Sequence, residues 1–325
     1  MRRALLIGLG LILAFAAFVH FNNTNLPATQ RVGRPTLLAH RGLHQTFPSE
    51  GLKGDTCTAE RIFPPEHGYL ENTLASMQAA FEAGADIVEL DIHPTTDGHF
   101  AVFHDWTLDC RTDGSGLTRE RTLAQLKALD IGYGYTADGG KTYPFRGKGV
   151  GLMPSLDEAL AAFPERRLLI DIKSNEPADG EKLADRLAQL PHPQRARIMV
   201  YGGDRPVAAV RARLPQIKTM SRASVRRCLL WYIGIGWSGW VPAACRDGLL
   251  LVPVNVAPWL WGWPGRFLAR MQAAGTDVLA AGAWDGGFSR GIDDAAAFGK
   301  LPGGYAGGIW TNRIDRIAPL VSGRR

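Results

Sequence analysis

Apolar and polar positions along the chain fall into short blocks that switch between two periods. Thr36 to His40 (TLLAH) is an apolar run ending in polar residues, the pattern of a short buried strand. Asn72 to Gly84 (NTLASMQAAFEAG) puts Leu74, Met77, Ala80 and Phe81 on one helical face, and Gly84 stops the helix. Asp86 to His93 predicts a second strand, Thr96-Asp97-Gly98 a turn, and Phe100 to His104 a third strand. Asp105 to Gly151 is rich in loops, with a small helix around Leu123 to Leu129. Ser155 and Glu158 are spaced as a capping box, opening a helix that runs to about Phe163. Leu168 to Lys173 predicts the next strand, and a helix follows near Glu181 to Leu190. Arg197–Tyr201, Ile217–Met220, Leu249–Val254, Asp277–Ala281 and Gly308–Thr311 are further strands, with helical patterns between most of them.

This alternation predicts one parallel α/β domain. The strand number is near eight, and about 250 residues suffice for a TIM barrel. A doubly wound sheet is the alternative, but no Gly-x-Gly-x-x-Gly follows the first strand. The expected architecture is a (β/α)8 barrel with a small insertion after the third strand, preceded by one N-terminal membrane helix. Residues 1–21 form the anchor, 22–34 a linker and 35–318 the barrel, with 105–153 as its insertion.

The anchor expectation rests on Ala4 to Phe21, which has no Asp, Glu, Lys or Arg and follows Arg2-Arg3. Its length suits a span of about 17–25 residues. A cleaved signal peptide is the competing reading, but the small-x-small pattern Ala14-Phe15-Ala16 lies inside the apolar run. Arg2 and Arg3 place the N-terminus in the cytoplasm and the barrel outside it, although Arg31 and Arg34 pull the other way.

The chain has 325 residues, 46% hydrophobic and 21% charged, which excludes a disordered chain. Its single long apolar run excludes a polytopic transporter. The net charge of +6 raises nucleic acid as a partner, but no Lys/Arg block exceeds two residues. A mildly basic surface suited to anionic substrates or lipid head groups is the expectation, with no nucleic acid and no protein partner named. The cysteines Cys57, Cys110, Cys228 and Cys245 form no Cys-x-x-Cys, which argues against structural zinc. They allow three disulfide connectivities or four thiols.

Catalysis in a TIM barrel sits where the strands end. Those ends carry His40-Arg41-Gly42, Glu89-Leu90-Asp91, His104-Asp105 and Asp171-Ile172-Lys173. Side chains alternate along a strand, so Glu89 and Asp91 share a side, as do Asp171 and Lys173. Three carboxylates in one cavity repel unless a cation sits among them, and oxygen ligands suit Mg2+ or Ca2+. Two histidines beside such an ion make an acid–base pair. Arg41 and Lys173 supply charge for a phosphate. Each motif alone is common; their joint occurrence at successive strand ends is specific.

The order His40-Arg41-Gly42, Glu71-Asn72-Thr73, Glu89-Leu-Asp91-Ile-His-Pro-Thr-Thr-Asp97-Gly98 and Val102-Phe-His104-Asp105 resembles the glycerophosphodiester phosphodiesterases. The resemblance runs from about Thr36 to Asp315. It implies a TIM-barrel enzyme that hydrolyses glycerophosphodiesters to glycerol 3-phosphate and an alcohol with one divalent cation. It implies His40 and His104 as the acid–base pair, Arg41 as the phosphate-binding arginine, and Glu89 and Asp91 as metal ligands. Glu71 then lines the substrate site, and Asp105 to Met153 is the family's insertion.

Some positions depart from the family pattern. The next metal ligand, usually Glu in Glu-x-Lys, is Asp171 here. A late Trp-Thr-Val-Asn pattern is reduced to Ala-Trp284-Asp, and the terminal pattern reads Thr311-Asn312-Arg313-Ile314. These departures bear on substrate choice and keep two alternatives in view: lysophospholipase D-type activity on membrane lipids, and a non-catalytic glycerophosphoryl-binding barrel. An amidohydrolase-type barrel would need a His-x-His pattern that the first strand lacks. Six of the nine tryptophans lie between Trp231 and Trp263, in a stretch nearly free of charge. It reads either as the core-facing side of late barrel helices or as a membrane-facing surface. Cys57 and Cys110 fall in loops expected to rise from one barrel face, close enough to pair if the domain is extracytoplasmic.

Overall fold

The computed structural model describes residues 2–25, 33–52, 56–286 and 290–323. Among the described residues nine strands form, β1 (Thr36–Ala39), β2 (Ile87–Pro94), β3 (Phe100–Val102), β4 (Arg167–Ile172), β5 (Ile198–Gly202), β6 (Lys218–Ser221), β7 (Leu249–Pro253), β8 (Asp277–Ala281) and β9 (Gly308–Thr311). Eight of them run parallel in the spatial order β6-β5-β4-β2-β1-β9-β8-β7, and β6 stands near β7, so that the ring is nearly closed. This is the expected barrel.

β3 is not one of the eight. It pairs antiparallel with β2, Ile92 opposite Val102 and Pro94 opposite Phe100. The link from Thr95 to His99 is too short for a parallel crossover, which needs a dozen or more residues. The insertion therefore leaves from a hairpin at the mouth of the barrel, and β4 is the third barrel strand.

Three apolar clusters hold the molecule together. Leu38, Ile87, Leu169, Met199, Leu279 and Trp310 fill the barrel interior. A larger cluster joins the strands to the surrounding helices, through residues such as Met77, Val88, Ile170, Leu183 and Phe267. A third is separate. Ala59, Ile62 and Leu70 from the long first loop pack with Leu108, Leu126, Tyr135 and Phe145 of the insertion. These two segments form one cap, and Cys57 and Cys110 are bonded within it, with Cα atoms 5.4 Å apart. The remaining pair, Cys228–Cys245, is also a disulfide.

Local signals behave as their chemistry requires. Thr73 caps the helix Leu74–Glu82 by accepting from the Ser76 amide. Ser155 and Glu158 make the reciprocal capping box at the helix Leu156–Ala162. The N-terminal helix spans Arg2–Asn23 with no buried residue. It runs two residues into the expected linker, and 26–32 of that linker lie outside the described residues. The tryptophan stretch divides. Trp261 and Trp263 pack against the core, whereas Trp231, Trp240 and Trp259 are exposed.

The cap disulfide closes a separation of 53 residues. Loops of that size are stabilised by about 2–4 kcal/mol when bridged. Replacing Cys57 and Cys110 by serine should lower the urea midpoint with unchanged native circular dichroism. An unchanged midpoint would show that the cap holds without the bridge.

Candidate active site

The site grows out of strand register. β2 and β4 pair with Asp91 opposite Asp171 and Glu89 opposite Leu169, and Tyr201 of β5 lies opposite Asp171. The pleat turns Glu89, Asp91 and Asp171 to one side. Their carboxylate oxygens come within 4.8 Å of one another, all buried. Tyr201 donates to Glu89 Oε1 at 2.7 Å, and the Arg41 amide donates to Glu89 Oε2 at 2.8 Å.

Two residues in the left-handed region shape the floor. Arg41 has φ 59° and Gly42 φ 75°, just past β1. A Cβ on Gly42 would meet the Ser76 backbone at 2.8 Å, so only glycine fits there. The turn sends the Arg41 guanidinium back over the triad, 3.3 Å from both Glu71 and Asp91. Asn72, at φ 60°, clips Asp91 from both ends: its Nδ2 donates to Oδ2 at 2.8 Å, and its Oδ1 accepts from the Asp91 amide at 3.0 Å. Asparagine tolerates this backbone better than most residues.

The charges are arranged in opposition. Burial and the neighbouring Asp91 and Asp171 push Glu89 well above the usual carboxylate range. Burial, with Asp91 beside it and Lys173 opposing, pushes Asp171 up to about 6. Asp91 goes the other way: burial resists ionisation, but Lys173, His104 and Arg41 together hold it well below the ordinary value. Lys173 lies 3.2 Å from Asp171 and 3.4 Å from Asp91. Asp91 Oδ1 is buried and accepts no hydrogen bond among the described residues. A buried carboxylate oxygen in that state, inside a set of three oxygen donors, fits a hard divalent cation.

The two histidines flank the triad and differ in what stands behind them. His40 Nε2 is 3.8 Å from Glu89, and its Nδ1 is 2.7 Å from Asn312 Oδ1. Asn312 Nδ2 donates to Asp293 at 2.8 Å, which fixes the amide oxygen toward His40. His104 Nδ1 instead meets a carboxylate, Asp105 Oδ1, at 2.6 Å. Burial lowers both imidazoles, aided by Arg41, and more strongly at His40.

Sequence reasoning missed Arg111. Its guanidinium is fully buried and donates to Asp105 at 2.8 Å, to Tyr135 at 2.7 Å and to Thr58 at 2.6 Å. It also lies 3.2 Å from Glu71. One arginine thus fixes the partner of His104, the glutamate beside Arg41 and the cap, and it follows Cys110 directly. Burial favours the neutral form of Glu71, but Arg111 and Arg41 keep its pKa below the ordinary value. Asn72, Tyr201, Asn312 and Asp293 were also missed. Asn72 and Asn312 stood inside motifs quoted for the family pattern without a role of their own, and Arg111 was marked only by following Cys110.

Two tests follow from this geometry. Arg111→Met should lower turnover by roughly 10²-fold, the scale of a misplaced catalytic group, and leave a folded barrel. Activity equal to that of the parent would remove the positioning role. The second concerns the triad. An acid whose folded pKa is raised contributes stability below its unfolded pKa and loses it as pH rises through the folded value. Asp171 should therefore destabilise the metal-free protein from about pH 4 to beyond about 6. Mg2+ or Ca2+ gives the ionised form a partner, so the rise in melting temperature on adding the cation should grow through pH 6. A cation effect that is flat from pH 5 to 7 would separate the triad from metal binding.

The comparisons with known proteins agree with this geometry. A model of the glycerophosphoryl diester phosphodiesterase family matches residues 40–195. A glycerophosphodiester phosphodiesterase of Bacillus subtilis (strain 168) is 36% identical over 146 residues, 42% of this chain and 48% of the relative. One from Caldanaerobacter subterraneus is 48% identical over 62 residues, 19% of this chain and 26% of the relative. The chain thus spans about half the length of the first relative and a quarter of the second. Solved structures share the fold at lower identity. The glycerophosphodiester phosphodiesterase of Agrobacterium tumefaciens has a TM-score of 0.59 at 20% identity, covering 88% of this chain and 99% of that one. A phosphodiesterase from Oleispira antarctica, solved with the product sn-glycerol-3-phosphate, has a TM-score of 0.56 at 21% identity, covering 89% and 97%. The segment that resembles the glycerophosphoryl diester phosphodiesterase family, residues 40–195, contains His40, Arg41, Glu71, Glu89, Asp91, His104, Asp171 and Lys173.

Proposed function

We propose that the protein hydrolyses glycerophosphodiesters to glycerol 3-phosphate and an alcohol. The observation that carries this reading is a buried triad of oxygen donors flanked by two histidines and overlain by Arg41. Glu89, Asp91 and Asp171 would hold one Mg2+ or Ca2+, which when bound supplies Lewis-acid polarisation of the phosphoryl oxygens. Arg41 and Lys173 bind and orient the phosphate, and Glu71 holds Arg41 in place at 3.3 Å.

The partners of the histidines support opposite roles. The Asn312 oxygen can only accept, so His40 carries its proton on Nδ1 and presents a bare Nε2. That is a general base, which takes the proton of the attacking hydroxyl. His104 is backed by the Asp105 carboxylate, which favours the protonated ring, so it protonates the leaving alkoxide. The phosphorus–oxygen bond to the alcohol breaks as the bond to the attacking oxygen forms.

The anchor reading belongs to the same proposal. Arg2 and Arg3 favour a cytoplasmic N-terminus, and two disulfides favour an oxidising compartment for the barrel. The exposed tryptophans favour a second substrate class, lysophospholipids, with small diesters first.

Release of glycerol 3-phosphate from glycerophosphocholine should be abolished by EDTA and restored by the cation. His40→Ala and His104→Ala should each lower turnover by roughly 10²–10⁴-fold. Parental turnover in both would sink the assignment. Asp105→Asn tests the direction of proton flow. Loss of the carboxylate lowers the His104 pKa further, so the alkaline limb of kcat/KM should move to lower pH while the acidic limb stays. Movement of the acidic limb alone would reverse the roles. A strong preference for lysophosphatidylethanolamine over glycerophosphoethanolamine would replace small diesters with the lipid substrate.

A further inference from the structure

We propose that one side of the barrel rests in the membrane interface, so that the enzyme is a barrel partly sunk in the bilayer and not a head on a tether. That side comprises the helix Arg222–Ile235, the turn at Trp237 and the loop carrying Trp259. The inference rests on the N-terminal helix being a span and adds a second lipid contact to it.

The helix needs an apolar solvent. Leu5, Leu11 and Ile12 are each at least 65% exposed, and none of its residues is buried. At 1.5 Å per residue the 22-residue helix is about 33 Å long, against a hydrocarbon core of about 30 Å. It has little length to spare.

Its far end is clamped to the barrel. Asn22 and Asn23 donate to the Trp237 carbonyl at 3.0 and 2.9 Å. Arg270 donates to the Asn22 carbonyl at 2.8 Å and to Asn23 Oδ1 at 3.0 Å, a cation at a helix C-terminus where the dipole favours one. Asn25 donates to the Trp263 carbonyl at 2.7 Å and accepts from the Arg266 amide at 2.9 Å. No slack separates span and barrel at this point.

Contact begins well before the helix ends. The Phe15 and Trp237 rings lie 5.2 Å apart, edge to face. Phe15 precedes Asn23 by eight residues, about 12 Å of helix. A tilt of about 40° still leaves roughly 9 Å of depth. A spanning helix therefore draws Trp237 into the interface. The surface around it is made for that position. Leu230, Trp231, Trp240 and Trp259 are 53–71% exposed, and Cys228 to Cys245 contains no charge. Tryptophan is enriched at this level of the bilayer. The Cys228–Cys245 disulfide and a bond from Trp261 Nε1 to the Ile233 carbonyl, 2.8 Å, hold the pieces together. Between helix and barrel runs an open groove of about 500 Å³, lined by Phe15, Ala16, Val19, His20 and Trp261 among others. In a bilayer lipid chains fill it, and a protein partner would have to displace them.

The full chain in vesicles of brominated-acyl phosphatidylcholine and phosphatidylglycerol tests this. Its tryptophan emission should be quenched, and Trp231→Phe and Trp240→Phe should each remove part of the quenched amplitude. Carbonate extraction of the same vesicles reports on the span. Protein released by carbonate overturns the anchor reading. Protein retained, with quenching unaffected by either substitution, overturns the docked face alone and leaves it to a protein partner.

Discussion

Three carboxylates that repel one another inside a protein are the constraint on which this molecule turns. Glu89, Asp91 and Asp171 have almost no contact with solvent, and bringing their charges together costs several kcal/mol per ion without compensation. The neighbouring structure is built to offset that cost. Parallel pairing of β2 with β4 sets Asp91 against Asp171. A left-handed Arg41, made possible by the close approach of Gly42 to Ser76, returns its guanidinium to the cluster. A left-handed Asn72 closes Asp91 from the opposite loop. The strained residues lie where the charge is concentrated, and the barrel walls hold them there.

The second layer assigns a different partner to each histidine. A neutral amide behind His40 and a carboxylate behind His104 separate two rings that burial alone would treat alike. Arg111 then links Asp105 and Glu71 to the cap, whose own apolar cluster is independent of the barrel core. The cap is therefore a support for the chemistry as well as a cover. Its disulfide joins the residues just before Thr58 and Arg111, and Arg111 donates to the Thr58 hydroxyl.

What was legible in the sequence was whatever depends on near neighbours. Strand ends, the Ser155 capping box and the shared side of Glu89 and Asp91 follow from period and spacing. The parallel ring followed from alternation, but β3 could be read only as a strand. Periodicity does not say which edge a strand joins; the five-residue link to it did. Asn312 and Tyr201 act across 272 and 112 positions of chain, and Asp293 reaches the site only through Asn312, 19 positions on, so local spacing assigns none of them a role. The tryptophan stretch was ambiguous because it holds both answers. Trp261 and Trp263 face the core, and Trp231, Trp240 and Trp259 do not.

The aspartate on β4 marks where this chain strikes its own balance. A glutamate at 171 would carry its carboxylate one bond further from the strand, toward the centre of the cavity. Asp171 holds it back beside Lys173, 3.2 Å away, and that ammonium also reaches Asp91 Oδ1 at 3.4 Å. A divalent cation held by the triad would therefore compete with Lys173 for the same two oxygens. An ammonium is a compact point charge on a flexible stem, able to leave one carboxylate pair for a phosphate when a stronger cation takes its place. The shorter acid keeps Lys173 beside the triad, and under the proposed function that lysine is the charge an incoming phosphodiester would meet.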